Sequence, residues 1–414
     1  MHSNRKEEIS QAQPARPGVL IGYAQNVISP SLERPVFLAG FAQNRRATAI
    51  HDDLSVRALA ICTPERTLVL CALDLIGFFR SDIQEIIRRV HDHFKEQNRP
   101  EILIASLHPH DGPDTMGLWG PDDHTSGVDP QYLAEVKDKT ALTILSALGS
   151  ATRESKLMKS VCLRVPGLAK NARNPEILDD ELTAMQFLDE AGSPLASLFD
   201  FACHPEVMWE QNTQVSADYV GYLRQAVEEA TGAPCIFFSG ALGGMMTPDV
   251  KEHSFVEAES IGRAVAKAGL EALGNASGSP EMEVTLVKKE IKVKLTNILY
   301  KFAFRRKLLP DVRDAQGRIT SEVSLIKVGT TWFATIPGEL LPKLGLELKE
   351  RMRAGGAQTA GIICLANDEL GYMLPAEDFR FPLNPFKPGK HYEETNSISK
   401  EIGPAVMEAV RNLL

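Results

Sequence analysis

His108-Pro109-His110 closes a short apolar run over residues 101–107 and is followed by the turn Asp111-Gly112-Pro113. In α/β proteins ligands and chemistry gather where strands end. In extended chain, residues i and i+2 share a face. Pro109 disfavours helical geometry for His108, so both rings are expected to point into one pocket. Imidazoles so placed serve as metal ligands or proton carriers. By spacing alone, two solvated histidines at a strand end fit equally well.

Three more apolar runs finish in groups that bind metal: Phe201-Ala-Cys-His204, Ile336-Pro-Gly-Glu339, and residues 362–372, which reach Gly371-Tyr372. Zinc accepts imidazole nitrogen and carboxylate oxygen, and catalytic zinc keeps one position open for water. Each residue also has a plainer reading. Glu339 is a favourable charge at a helix N-terminus, His204 a packed histidine, Tyr372 a core residue. Four strand ends carrying such groups favour a shared site at the C-terminal ends of strands.

Other chemistries compete. Cys203, or Ser239 ahead of Gly240-Ala-Leu-Gly-Gly244, is a candidate nucleophile. Neighbours on a strand face opposite ways, so Cys203 and His204 are not expected to form a dyad. The glycine-rich turn lacks a P-loop lysine and the Gly-x-Gly-x-x-Gly spacing, which argues against nucleotide binding. A non-catalytic binding protein on the same scaffold is a third class.

The elements that must position these residues alternate strand and helix. Residues 18–23, 54–62, 67–73 and 101–107 read as strands, with a hairpin around Pro64-Glu-Arg66. Residues 81–95 place Ile83, Ile86, Ile87 and Val90 at helical spacing. Asp129-Pro130 starts a helix to about residue 148. Strands follow at 161–165, 184–188 and 195–201, with 169–181 irregular. Residues 216–230 and 256–273 read as helices around a buried strand at 234–238. Residues 275–280 are the best candidate for an internal linker. A half-exposed strand over 282–296, a hairpin over 322–336, a helix to 352 and a strand at 362–366 complete the pattern. A Pro-rich loop over 373–391 and a last helix over 396–413 end it. The fold class is α/β, with mixed sheets flanked by helices.

The chain has 414 residues, 43% hydrophobic and 24% charged, with net charge −9. That composition supports a large core without staples. The acidic balance with dispersed Lys and Arg argues against nucleic acid, or an anionic membrane, as a general partner. No apolar run approaches the roughly 18 residues of a spanning helix. Residues 1–17 read as a disordered leader with no apolar signal segment. The six cysteines are irregularly spaced with no Cys-x-x-Cys pair. A reduced, cytoplasmic protein is expected, as a single catalytic domain over 18–414, with homo-oligomer formation left open.

His108-Pro-His-Asp-Gly-Pro113 resembles the His-x-His-Ser-Gly-Pro motif of the neutral, non-lysosomal ceramidases. Phe201-Ala-Cys-His-Pro205 is similar to that family's Phe-Ala-x-His. Gly240 to Asp249 takes the place of its Gly-Asp-x-Ser-Pro-Asn loop. Ile336-Pro-Gly-Glu339, Gly371-Tyr372 and Tyr392-Glu393 follow in the family's order. Ile50-His-Asp-Asp-Leu-Ser-Val-Arg-Ala-Leu59 has the look of its bacterial members. The resemblance spans roughly residues 18–412, the catalytic domain without the family's C-terminal immunoglobulin-like domain.

The resemblance implies one Zn2+ held by His108, His204, Glu339 and Tyr372, with zinc-bound hydroxide attacking an amide carbonyl. It implies that His110, Arg173 and Tyr392 face the reacting carbonyl. The expected enzyme is a zinc-dependent amidohydrolase. Its partner is a small-molecule N-acyl amine or related amide rather than ceramide, with ester, lactone or carbamate hydrolysis and acyl transfer open to the same site. The chain departs from the family pattern at Asn26, Asp111, Met245 and Thr247. Asp111 stands where the family has Ser, Met245 where it has Asp.

Overall fold

The computed structural model describes residues 18–380 and 392–414. The expected leader and the end of the expected Pro-rich loop lie outside the described residues. Three mixed sheets carry the chain. The first runs, in spatial order, Glu101–Ser106, Thr67–Leu73, Ser55–Cys62, Val19–Val27, Arg153–Ser155. The second runs Cys235–Ser239, Pro194–Phe201, Glu181–Leu188, Leu157–Arg164, and the third Val284–Lys294, Arg318–Val328, Thr331–Thr335, Thr359–Ile363. Each sheet is mostly antiparallel and contains one parallel pair. The parallel pairs supply the strand ends from which the candidate ligands hang.

The helices α1 (Arg80–His91), α2 (Pro130–Gly149), α3 (Asp218–Thr231), α4 (Phe255–Asn275), α5 (Ile298–Arg305), α6 (Pro342–Ala354), α7 (Tyr392–Thr395) and α8 (Ile402–Arg411) flank the sheets. In strand Thr67–Leu73, Leu68, Leu70 and Ala72 enter the large core shared by the three sheets, while Val69, Cys71 and Leu73 enter a second core under α1 and α2. The period-2 alternation therefore buries both faces of this strand. That explains why it reads as an unbroken apolar run.

Four expectations change. His108 has φ of +71°, in the left-handed region rather than extended as Pro109 suggested. Its backbone N–H bonds Leu75 O at 2.9 Å. That bond and the ring's bond to Ile76 O together offset a local penalty of about 1–3 kcal/mol, which such sites commonly carry. Within 169–181, Ala169–Asn171 is a short strand paired with Met246–Pro248. The last helix begins at Ile402, not 396. Pro404 has no N–H to give a helix interior, and a start at Ile402 puts it in the first turn, where none is needed. Residues before it pair instead, Ser397 bridging Gly371. Helix α5 occupies a stretch to which the sequence pattern assigns no element.

Candidate metal-dependent active site

Three short contacts lock the sheets together at one end. Ala105 bridges Ala366, Cys364 N bonds Ser239 O at 2.9 Å, and Ser239 Oγ donates to Leu107 O at 2.8 Å. The chains leaving these strand ends carry the candidate ligands. Glu339 and Tyr372 are direct partners across a small parallel bridge. Gly243 permits this crossing. A Cβ there would sit 2.6 Å from Glu339 O, so the glycine-rich turn serves close backbone approach rather than phosphate binding.

His108 Nδ1 lies 2.5 Å from Ile76 O, and His204 Nδ1 lies 2.9 Å from Met246 O. A carbonyl oxygen only accepts, so each Nδ1 carries a proton, and in the neutral ring the lone pair is on Nε2. Both Nε2 atoms face one carboxylate. His204 Nε2 is 3.1 Å from Glu339 Oε2, and His108 Nε2 is 3.8 Å from Glu339 Oε1. The Tyr372 hydroxyl borders the same carboxylate. Acceptors converging in this way need a proton or a cation between them. All four residues are buried.

Electrostatics bear this out. Burial drives the His108 pKa down to about 3, leaving a neutral imidazole. Burial also opposes charge on His204, but the Glu339 hydrogen bond and the charges of Glu206 and Glu339 prevail and raise it to about 9. Burial raises Glu339, and the two histidines overcome it, so its pKa is lowered. Burial holds the Tyr372 hydroxyl well above its ordinary value, with the Glu339 charge adding to it. A bound cation would reverse that local logic.

His110 completes a cluster in which ligand atoms of His108, His110 and His204 all lie within 4.8 Å of one another. Its surroundings differ from the other two. His110 Nδ1 is 3.0 Å from Glu206 Oε2, near enough for charge pairing yet out of line for a hydrogen bond. Burial raises the Glu206 carboxyl, but His110 and His204 overcome it and bring it down to about 2. Glu206 is the residue that sequence reasoning missed. A signal existed: His204-Pro205-Glu206 repeats the pattern of His108-Pro109-His110. The two segments lie side by side, with His110 N donating to Pro205 O at 3.0 Å. Phe41 packs edge-on against His110, and Trp209 lies between Phe41 and His253, forming an aromatic wall.

Asp111 turns away from the cluster. Its carboxylate meets Arg45 Nη2 at 3.1 Å, and Arg45 also bonds the carbonyls of Ala39, His110 and Asn212. The departure from Ser thus brings a buried arginine that ties down the histidine segment. Met245 puts its sulfur 3.8 Å from the Tyr372 hydroxyl, and Thr247 is buried beside Glu206.

Arg173 is engaged by protein. Nη1 lies 2.5 Å from Glu393 Oε2, Nη2 is 3.0 Å from Glu394 Oε1 and 3.3 Å from Asp378 O. It therefore grips α7. Tyr392, the first residue of that helix, is half-exposed and meets the Tyr372 ring edge-on at 5.8 Å. The rival nucleophiles are poorly placed. Burial pushes the Cys203 thiol far up, against the thiolate form. The Ser239 hydroxyl is committed to Leu107 O.

This architecture is that of the neutral ceramidase fold. Among solved structures, neutral ceramidase from Pseudomonas aeruginosa superimposes with a TM-score of 0.76, over 96% of this chain and 74% of that chain, at 15% identity. A ceramidase complexed with C2 gives 0.75 with the same coverage and identity. No family model and no curated protein matches the sequence. At that identity the likeness shows the fold. The His108–His110–His204 cluster is this chain's own candidate metal site.

Proposed function

We propose that this protein is a zinc-dependent amidohydrolase acting on a small N-acyl amine, with the ion held by His108, His204, Glu339 and Tyr372. The observation that carries the reading is the pair of Nδ1-anchored histidines whose Nε2 atoms share one buried carboxylate. The donor set suits zinc. The ion, when bound, supplies Lewis acidity and lowers the pKa of a coordinated water from 15.7 to about 7.

The chain's own groups do the rest. His110 and Tyr392 flank the ligands and can donate to the oxygen that gains charge as the amide carbon becomes tetrahedral. Glu206 holds His110 in place from behind. Arg173 positions Tyr392 through Glu393 and Glu394, in place of the direct contact with substrate that the resemblance implied. Phe41 and Trp209 offer an apolar wall for an acyl or aryl group.

Metal analysis with a substrate panel tests this. Near-stoichiometric zinc and chelator-sensitive hydrolysis of N-acyl amines are expected, with metal lost in His108→Ala and His204→Ala. Robust esterase activity without amidase activity would overturn the amide assignment. Full activity in a metal-free protein would sink the zinc site.

A further inference from the structure

We propose that α5 is an interfacial helix that docks this protein on an anionic lipid bilayer, an inference that does not rest on the hydrolase reading. Residues 291–310 carry Lys292, Lys294, Lys301, Arg305, Arg306 and Lys307 and no Asp or Glu, in a chain of net charge −9. All six cations are exposed. Among the described residues Lys294, Lys301, Arg305 and Lys307 form no ion pair. Arg306 lies over the Phe302 ring at 4.4 Å and contacts His124. The acidic total therefore conceals a local basic patch.

The centre of that patch is apolar. Ile298, Leu299 and Phe302 stand 65%, 47% and 49% exposed. At 100° per residue they fall on one outward stripe, with Lys301 and Arg305 along one edge and Arg306 one turn beyond Phe302, between the directions of Phe302 and Leu299. Phe304 and Tyr300 point inward, the Tyr300 hydroxyl reaching Asn396 O at 3.1 Å. Large apolar side chains flanked by cations are the composition of a helix that lies in the headgroup region. Two other occupants fit less well. A nucleic acid would match the charge and leave the apolar stripe unused. A second copy in a two-fold dimer would bring this positive patch against itself.

The helix is fastened beside the site. Asn297 caps it and donates through Nδ2 to Thr395 O at 2.7 Å and Ser397 O at 2.8 Å. Those residues continue α7, which bears Tyr392. Docking through α5 would thus bring the mouth of the site to the lipid surface.

The test is co-sedimentation of the full chain with vesicles of two parts phosphatidylcholine to one part phosphatidylserine, and with phosphatidylcholine alone. Binding to the anionic vesicles that weakens with salt is expected, with little on the neutral ones. Each cation near the surface contributes roughly fivefold. Lys301→Glu with Arg305→Glu should therefore weaken binding by more than about 25-fold. Phe302→Ser should weaken the part that survives salt. Phe302→Trp, in an otherwise unchanged chain, should gain blue-shifted emission on anionic vesicles. No vesicle binding, equal binding to neutral vesicles, or an emission spectrum of the Phe302→Trp variant unmoved by lipid would overturn the proposal. So would preferential capture by a nucleic acid duplex, or conversion of a dimer to a monomer by Phe302→Ser.

Discussion

Replacing Gly40 by Ala separates the two roles open to His110. Gly40 has φ of +94°, and a Cβ there would lie 2.3 Å from His110 Cγ and 2.7 Å from Cβ and Cδ2 of the same residue. The ring has little room to retreat, because Phe41 packs against it and Glu206 lies beyond Nδ1. The left-handed backbone costs Ala about 1 kcal/mol, and overpacking adds about 1–3 kcal/mol. A destabilisation of about 2–4 kcal/mol with a displaced imidazole is expected. If His110 donates to the reacting oxygen, kcat should fall on the order of 10²-fold. Zinc content should hold, because the three atoms nearest the new methyl group all belong to His110 and none to His108, His204, Glu339 or Tyr372. The assay is metal content per chain by mass spectrometry, alongside kcat and KM for an N-acyl amine and denaturant unfolding. Zinc lost together with activity would make His110 a ligand and refute the assignment. Unchanged activity in a folded, zinc-loaded variant would remove His110 from the chemistry.

Other consequences are equally direct. His204, raised to about 9 by Glu339 and Glu206, must lose its proton to ligate. Zinc binding at pH 7 should therefore release at least one proton, read by calorimetry in buffers of different ionisation enthalpy; a buffer-independent heat would contradict the histidine assignment. Asp218 is raised to about 8 by burial and by the charge of Asp111, which burial itself raises to about 7. Between roughly pH 4 and 8 the folded state then binds more protons than the unfolded one, so stability falls as pH rises through that window. Asp218→Asn should flatten the fall between about pH 5 and pH 8, and an unaltered slope in urea unfolding would disprove it. Arg173→Ala should release α7 and lower kcat roughly 10²-fold through a misplaced Tyr392, with zinc retained. A raised KM at constant kcat would instead show that Arg173 contacts substrate.

Much of this protein was legible in its sequence. Local pattern is enough where local physics decides. The apolar runs over 67–73 and 101–107 are buried on both faces, and α1 and α2 follow their periodicity and the Asp129 cap. The ligand candidates were legible because four strands end in metal-binding groups, and strand ends are where an α/β fold opens.

Tertiary structure alone decided what surrounds those groups. Whether His108 is extended was settled by Leu75 and Ile76, distant in sequence, whose carbonyls hold its backbone and ring. His110 differs from His108 in facing Glu206, brought in by another sheet. Arg173 gave no local sign that its partners would be Glu393 and Glu394. Helix α5 escaped because its apolar stripe faces outward, so it lacks the core-facing periodicity by which helices are recognised. Periodicity reports which face meets the core, whereas proton positions, charge pairs and outward faces depend on groups that only folding brings near.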